Sequence, residues 1–186
     1  MKQSSMLGNG TISKPSDRTW QGHTDPIWNL DEIANLHYKW EPFNDVDTLT
    51  QWQELYQQNF TCGTKADYTV PQPRCQIAIL DAITADWQSV TQPGFIWFKL
   101  RPGEILPEHV DTYANYCRYA NTQPQQVVRI IVFLQDWRPG FLFEFDGVPV
   151  TGYSAGTWVA WHNDVPHMAG NFSKVPRYTL QITATI

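Results

Sequence analysis

The fold is decided by the stretch GTWVAWHNDVPHMAGNFSKVPRYTLQITATI, residues 156–186. It holds three short runs, two of them rich in Val, Ile, Trp, Tyr and Thr, with polar and proline-containing segments between them. β-Branched and aromatic runs bounded by turn residues are typical of strands. The same pattern reaches back to residue 94, where Pro102-Gly103, Pro139-Gly140 and Asp146-Gly147 separate further runs. The Asp-Gly pair between two such runs predicts a tight hairpin.

Eight runs of this kind predict a mainly β fold, a double-stranded β-helix of the jelly-roll or cupin-like type. Upstream, residues 47–60 and 75–87 place apolar side chains at spacings of three and four, which predicts two amphipathic helices packed outside the β core. Residues 30–40 give a weaker helical pattern, and residues 64–75 read as loop. Asp47 is a candidate cap for the first helix, and the apolar positions are Leu49, Trp52, Tyr56, Phe60, Ile77, Leu80, Ile83 and Trp87.

The chain length of 186 residues is typical of one domain, which we expect over residues 19–186. Within it, residues 19–93 would form a helical and loop support, and residues 94–186 the double-stranded β-helix core. Residues 1–18 are polar, small and Gly/Ser-containing, which predicts a flexible tail.

Composition excludes several classes of partner. The net charge is −5 and no basic run is present, so nucleic acid is not an expected partner. No run of eighteen apolar residues predicts a membrane span, and the amino terminus lacks the apolar segment of a signal peptide, so we expect a cytoplasmic protein. Cys62, Cys75 and Cys117 show no metal-type pairing, which fits a reducing compartment. Nothing in the sequence indicates an oligomeric state.

A metal site is indicated by HVD, residues 109–111. Alternate side chains of a strand share a face, so His109 and Asp111 would point the same way. Two histidines and one carboxylate with open positions are the ligand set of non-haem Fe(II) oxygenases. The second histidine must come from a distant strand, and His167 and His162 are the candidates. His162 reads as the loop that leaves a strand, and only His167 is followed ten residues later by an arginine, Arg177.

Arg177 begins the last apolar run, with Thr179 on the same strand face. An arginine inside a β-barrel needs an anionic partner, because a desolvated unpaired guanidinium is costly. The terminal strand contains no carboxylate, so an anionic ligand is the natural partner. The guanidinium fork suits a carboxylate, and a threonine hydroxyl can add a hydrogen bond. Arg129 lies in the middle of a predicted strand and faces either solvent or the cavity.

Together, HVD (109–111), PHMAGN (166–171) and RYT (177–179) resemble the motifs of the Fe(II)/2-oxoglutarate-dependent dioxygenase superfamily: H-x-D, a distal histidine and R-x-S/T. RPGEILPEH (101–109) and NFSKVPRYTLQI (171–182) look like the aspartyl/asparaginyl β-hydroxylase-like branch. The chain also resembles the prolyl-hydroxylase-like branch. The resemblance covers about half of the chain.

This resemblance implies a role for each matching residue. His109, Asp111 and His167 would bind Fe(II), and Arg177 would pair with the distal carboxylate of 2-oxoglutarate, helped by Thr179. The implied reaction uses O₂ to hydroxylate an amino acid, a peptide or protein side chain or another small molecule, with release of succinate and CO₂. A chloride-binding variant would need a small residue in place of the acid, so Asp111 favours hydroxylation over halogenation.

Several alternatives stay open from the sequence. If Arg129 faces inward, it could bind 2-oxoglutarate or an acidic substrate, as a strand arginine does in the β-hydroxylase-like branch. Tyr113, Tyr116 and Arg118 follow the metal motif and either line the substrate mouth or cover the core. A non-catalytic jelly-roll module would use the aromatic residues to hold a ligand. A cupin-type metalloenzyme without 2-oxoglutarate would share the metal ligands but leave Arg177 unexplained.

Overall fold

The computed structural model describes residues 13–16, 18–40, 46–56 and 64–186. These residues form four α-helices, a single 3₁₀ turn at Pro124–Gln126, and strands in two sheets. The helices are α1 (Leu30–Ala34), α2 (Val46–Tyr56), α3 (Cys75–Ala85) and α4 (Ala114–Ala120). The strands are β1 (Ser13–Ser16), β2 (Thr19–His23), β3 (Tyr38–Trp40), β4 (Thr64–Ala66), β5 (Thr91–Leu100), β6 (Ile105–His109), β7 (Val127–Phe133), β8 (Phe141–Phe145), β9 (Val148–Pro149), β10 (Thr157–His162), β11 (His167–Asn171) and β12 (Arg177–Thr185).

Two antiparallel sheets face each other. The larger sheet has the strand order β1-β2-β10-β7-β12-β5-β4-β3, and the smaller one has the order β6-β11-β8-β9. From β5 onward the chain alternates between the sheets, with β5, β7, β10 and β12 in the larger and β6, β8, β9 and β11 in the smaller. Eight strands wound in this way form a jelly roll. The fold is therefore the mainly β, double-stranded β-helix that the eight runs predict.

The larger sheet is covered on both faces, as β7 illustrates. Ile130 belongs to a core on the outer face, where Ile79 and Ile83 of α3 also pack. Ile131, the next residue, belongs to the second core, between the two sheets, together with Phe143 of β8. Because successive side chains of a strand point to opposite faces, one apolar run serves both cores. The expected packing of helices outside the β core is present for α3.

The hairpin expected at Asp146-Gly147 joins β8 to β9. Phe145 pairs with Val148, and the two turn residues have φ angles of 53° and 72°. Positive φ at both central positions defines the turn whose twist matches that of paired strands, and Asp-Gly adopts it readily. The hairpin prediction is confirmed.

Residues 19–93 contribute more strand than expected. The helix predicted over residues 30–40 ends at Ala34, and residues 38–40 form β3 instead. Part of the predicted loop, Thr64–Ala66, forms β4, which pairs with β5 and with β3. The backbone groups at the open edge of β5 explain this pairing. Strands of three residues are too short to show the alternation that identifies a strand in a sequence.

The predicted helices α2 and α3 are present, but the cap of α2 and the buried face of α3 differ from the prediction. In α2, Asp47 lies in the first turn, after the helix has begun at Val46, so it does not cap the helix. In α3, Leu80 and Ile83 are buried as expected, but Ile79 is buried in place of Ile77, which is 50% exposed. The apolar face of α3 is therefore turned relative to the predicted one. Phe60 and Cys62, and the flexible tail over residues 1–12 and 17, lie outside the described residues.

Part of the predicted flexible tail forms a strand. Ser13–Ser16 pairs with β2, and Arg18 forms an ion pair with Asp164 at 2.6 Å.

In the part of the chain that the structure describes, no helix has the length and apolar character needed to cross a bilayer.

Candidate functional site

The site is a cavity of about 560 Å³ between the two sheets. One wall is β12, whose alternate side chains Arg177, Thr179, Gln181 and Thr183 all line it. This spacing follows from the period of two in a strand. Residues of β5, β7 and β10 in the larger sheet also line the cavity. The smaller sheet lines the opposite wall, and the segment around α4 and residues of α2 and β4 contribute further.

Three predicted metal ligands come together at this cavity. His109 is the last residue of β6 and His167 the first of β11, and the two are directly paired across the strands. Nε2 of His109 lies 3.8 Å from Oδ1 of Asp111, and Nε2 of His167 lies 3.6 Å from Oδ2. One candidate ligand atom from each residue lies within 4.8 Å of the others. The structure corrects one detail, because β6 ends at His109 and Asp111 follows it outside the strand.

Both imidazole rings are oriented by the backbone. Nδ1 of His109 lies 2.8 Å from the carbonyl oxygen of Pro107, and Nδ1 of His167 lies 3.1 Å from that of Val165. A carbonyl oxygen only accepts, so each Nδ1 carries the proton and each Nε2 keeps its lone pair. This second hydrogen bond is the usual support of metal-bound histidines. The three residues therefore fit a divalent metal.

The charges of the cluster also suit a cation. Burial alone would raise the pKa of Asp111, but Arg129, His167 and His109 together lower it below its usual value. Burial lowers the pKa of His167 to about 4, against the opposing effect of Asp111. At neutral pH the carboxylate is therefore ionised and His167 is neutral. These are the protonation states that bind metal.

Arg177 is buried in the cavity wall with 3% of its surface exposed. Nη1 donates to the carbonyl oxygen of Leu142 and, at 3.4 Å, to that of Gly170. Nε has no hydrogen-bond partner, and among the described residues no carboxylate pairs with this guanidinium. Burial lowers its pKa from the ordinary value. Thr179, also buried, lines the same wall.

Arg129 faces the cavity, which resolves the alternative that the sequence leaves open. Its Nε and Nη2 donate to Oδ2 of Asp111 at 3.2 and 3.0 Å, and Nη1 donates to Thr183 at 2.7 Å. The guanidinium therefore contacts the candidate metal ligand. A contact between Arg129 and 2-oxoglutarate stays a prediction.

The remaining candidates separate clearly. Tyr113 and Tyr116 line the cavity, whereas Arg118 is exposed on α4 and is not part of the cavity lining. His162 is the last residue of β10, not part of a loop, and its ring lies edge-on to Trp20 with centroids 5.1 Å apart. It too is absent from the cavity lining, so the structure brings His167 and not His162 to Asp111.

Sequence reasoning missed several contributors to the site, among them Thr183, which accepts a hydrogen bond from Arg129. Trp52 of α2 is buried as predicted, but its ring also lies edge-on to His109, with centroids 5.7 Å apart. Asp47 and Lys65 line the cavity. An amphipathic pattern identifies Trp52 as apolar contact but not what it contacts, and Lys65 falls in a segment that reads as loop. No sequence signal could have assigned them.

Comparisons with known proteins support the fold. No protein-family model and no curated protein matches the chain. Among solved structures, the chain is similar to the non-haem alpha-ketoglutarate-dependent epimerase SnoN from nogalamycin biosynthesis, with a TM-score of 0.54 and 13% identity, over 89% of this chain and 78% of that one. At this identity the likeness extends to the fold alone.

Two further solved structures have lower TM-scores. A Pseudomonas putida prolyl-4-hydroxylase gives a TM-score of 0.47 and 17% identity, over 84% of this chain and 96% of that one. A predicted oxalate decarboxylase from Thermotoga maritima gives 0.36 and 17%, over 50% of this chain. The match spans 65% of the decarboxylase's length.

Proposed function

We propose that this chain is an Fe(II)- and 2-oxoglutarate-dependent oxygenase that hydroxylates a small molecule or a peptide or protein side chain. Bound in this cavity, Fe(II), 2-oxoglutarate and O₂ would supply an oxidant for an unactivated C–H bond, with release of succinate and CO₂. The chain's own residues would bind the metal, orient the co-substrate and keep bulk water from the reacting groups.

His109, Asp111 and His167 would hold the metal. The Nε2 atoms of the two histidines and the carboxylate of Asp111 point to one place. The hydrogen bonds from Nδ1 of each histidine to the carbonyl oxygens of Pro107 and Val165 fix the two rings in the tautomer that binds metal through Nε2. Three protein ligands of this type leave coordination positions open, which suits an oxygenase better than a structural metal site.

The observation that carries the proposal is Arg177, a buried cation in the same cavity without a carboxylate partner among the described residues. Burying an unpaired charge is costly, and a bound ligand that supplies an anion would remove this cost. A guanidinium carries five N–H groups, more than its two backbone carbonyl partners use, so it can donate to a carboxylate oxygen, and the hydroxyl of Thr179 on the same wall can donate to another. A dicarboxylic acid that reaches from the metal to Arg177 meets both requirements.

A cupin-type metalloenzyme without 2-oxoglutarate is the alternative that shares the metal ligands. It gives Arg177 no anion, so the two readings differ in whether 2-oxoglutarate binds. A non-catalytic binding module gives no reason for three metal-type ligand atoms within 4.8 Å.

The test is iron-dependent conversion of 2-oxoglutarate to succinate, measured with the purified chain under air. We expect turnover with Fe(II), none after chelation, and none in His109→Ala or Asp111→Ala. A panel of free amino acids and peptides that stimulates succinate release would then define the substrate. Full turnover in both variants would remove the proposal.

A further inference from the structure

Arg129 forms a partly buried ion pair with the carboxylate that lies between the two histidines. Two of its nitrogens donate to Oδ2 of Asp111, and a third donates to Oγ1 of Thr183. The guanidinium carbon lies 5.1 Å from the centroid of the Tyr113 ring, within range of a cation–π contact. Three neighbours thus hold the guanidinium in place, and the guanidinium in turn fixes the carboxylate.

The two oxygens of Asp111 therefore have different surroundings. Both oxygens lie near a histidine: Oδ1 is 3.8 Å from Nε2 of His109, and Oδ2 is 3.6 Å from Nε2 of His167. Oδ2, however, accepts both hydrogen bonds from Arg129, and Oδ1 accepts neither of them. Charge-assisted hydrogen bonds are strong, and an oxygen that accepts two of them has less electron density to share with a cation. Oδ1 is thus the better ligand atom of this carboxylate.

We propose that Arg129 is a positioning residue that holds Asp111 as a one-oxygen ligand, so that the metal keeps its coordination positions open. The inference rests on the metal site of the proposed function. A carboxylate that bound through both oxygens would occupy a position that the co-substrate or O₂ requires. Arg129 acts on the metal only through Asp111.

The positioning role is separate from the contact with 2-oxoglutarate or an acidic substrate that the sequence leaves open. Three of the five N–H groups of Arg129 are engaged with Asp111 and Thr183, and the charge of the guanidinium is balanced by the carboxylate. A contact of Arg129 with either ligand stays a prediction. Arg177 also lines this cavity, and no carboxylate among the described residues pairs with it.

The experiment is anaerobic titration of the metal-free protein with Co(II), which reports affinity and, through its visible d–d absorption, coordination. The variants are Arg129→Gln and Arg129→Lys, with the exposed Arg118→Gln as a matched control. Loss of such a supporting partner typically weakens metal binding about 10- to 100-fold, which we expect for Arg129→Gln together with a changed spectrum. Arg129→Lys keeps the charge but not the fork, so it should recover only part of the affinity. Arg118→Gln should match the wild type.

The outcomes separate this inference from the proposed function. A folded Arg129→Gln variant with wild-type affinity and spectrum overturns the positioning role and leaves the metal site standing. Weaker binding with an unchanged spectrum also overturns it, because general loosening of the site would suffice. A wild type that binds no Co(II) overturns the metal site itself. Circular dichroism checks folding, and if Arg129→Gln does not fold, Thr183→Val, which removes only the Nη1 anchor, should still weaken binding several-fold and change the spectrum.

Discussion

Replacing Arg177 with methionine should have opposite effects on the free protein and on ligand binding. Methionine has a similar length and adapts to irregular apolar surroundings, so the cavity wall can keep its shape. The arginine is 3% exposed and lacks a carboxylate partner among the described residues. The substitution therefore removes a buried charge together with its hydrogen bonds to two backbone carbonyls.

The magnitudes follow from these contacts. Burying an ion costs several kcal/mol even after relaxation. A hydrogen bond from a charged donor contributes about 1.5–3 kcal/mol to stability, and the long bond to Gly170, at 3.4 Å, contributes less than the one to Leu142. We expect Arg177→Met to raise the free energy of unfolding of the ligand-free protein by about 1 kcal/mol, or about 2–4 °C in Tm for a chain of this size. Truncating one partner of a buried charge pair costs about 2–5 kcal/mol, so 2-oxoglutarate should bind about 30- to 4,000-fold more weakly.

Thermal unfolding with and without 2-oxoglutarate, in the presence of Mn(II) to avoid turnover, measures both effects. At 100 times its Kd, 2-oxoglutarate should stabilise the wild type by about 2.7 kcal/mol. The same concentration should stabilise Arg177→Met by less than about 1 kcal/mol, because the ligand is then at only about three times its Kd or below, while the exposed control Arg118→Met behaves as the wild type. A variant that is markedly less stable than the wild type when free, or that 2-oxoglutarate still stabilises fully, would rule out an uncompensated buried charge at Arg177 that the ligand neutralises.

Three further predictions concern the histidines and the turns. His167→Ala should abolish succinate formation while His162→Ala retains it, and equal loss in both would contradict the assignment of His167. Because burial lowers the pKa of His167 from 6.5 to about 4, the folded state binds fewer protons than the unfolded chain in this window. The free energy of unfolding of the metal-free protein should therefore fall by about 3 kcal/mol as the pH falls from 6.5 to about 4. Denaturant titrations at a series of pH values measure this dependence, and it should be smaller in His167→Asn. Gly156→Ala should lower the free energy of unfolding by about 2–5 kcal/mol, because φ is +94° and the added Cβ would lie 1.9 Å from the carbonyl oxygen of Thr24. Gly103→Ala also has a positive φ, but no atom lies within 4 Å of its added Cβ, so it should lower the free energy of unfolding by only about 1 kcal/mol. Equal losses in urea unfolding would contradict this difference.

The β core could be predicted from the sequence because each of its strands is an apolar run between turn residues. The Asp146-Gly147 hairpin was predictable for the same reason, since its conformation depends on two adjacent residues. The short strands β3 and β4 were not predictable. They form because β5 offers an open edge, and that edge exists only once the sheet is assembled.

The candidate site was predictable where the chemistry of a side chain leaves few possible partners. A buried arginine needs an anion, and that reasoning identifies Arg177 without coordinates. The contact between Arg129 and Asp111 joins residues 18 apart and depends on the register of two sheets. The sequence gives each strand's alternation but not which face turns inward, so the partner of Arg129 could not be derived.

A metal and 2-oxoglutarate are proposed to bind together in the cavity between the sheets. Absorption spectroscopy of the Fe(II)-loaded protein without oxygen detects this joint binding, because a 2-oxo acid bound to ferrous iron changes its visible spectrum. We predict a new visible absorption when 2-oxoglutarate is added to the wild type, lost in His109→Ala and greatly weakened in Arg177→Met at the same concentration. An Fe(II) spectrum of the wild type that excess 2-oxoglutarate leaves unchanged would contradict the account.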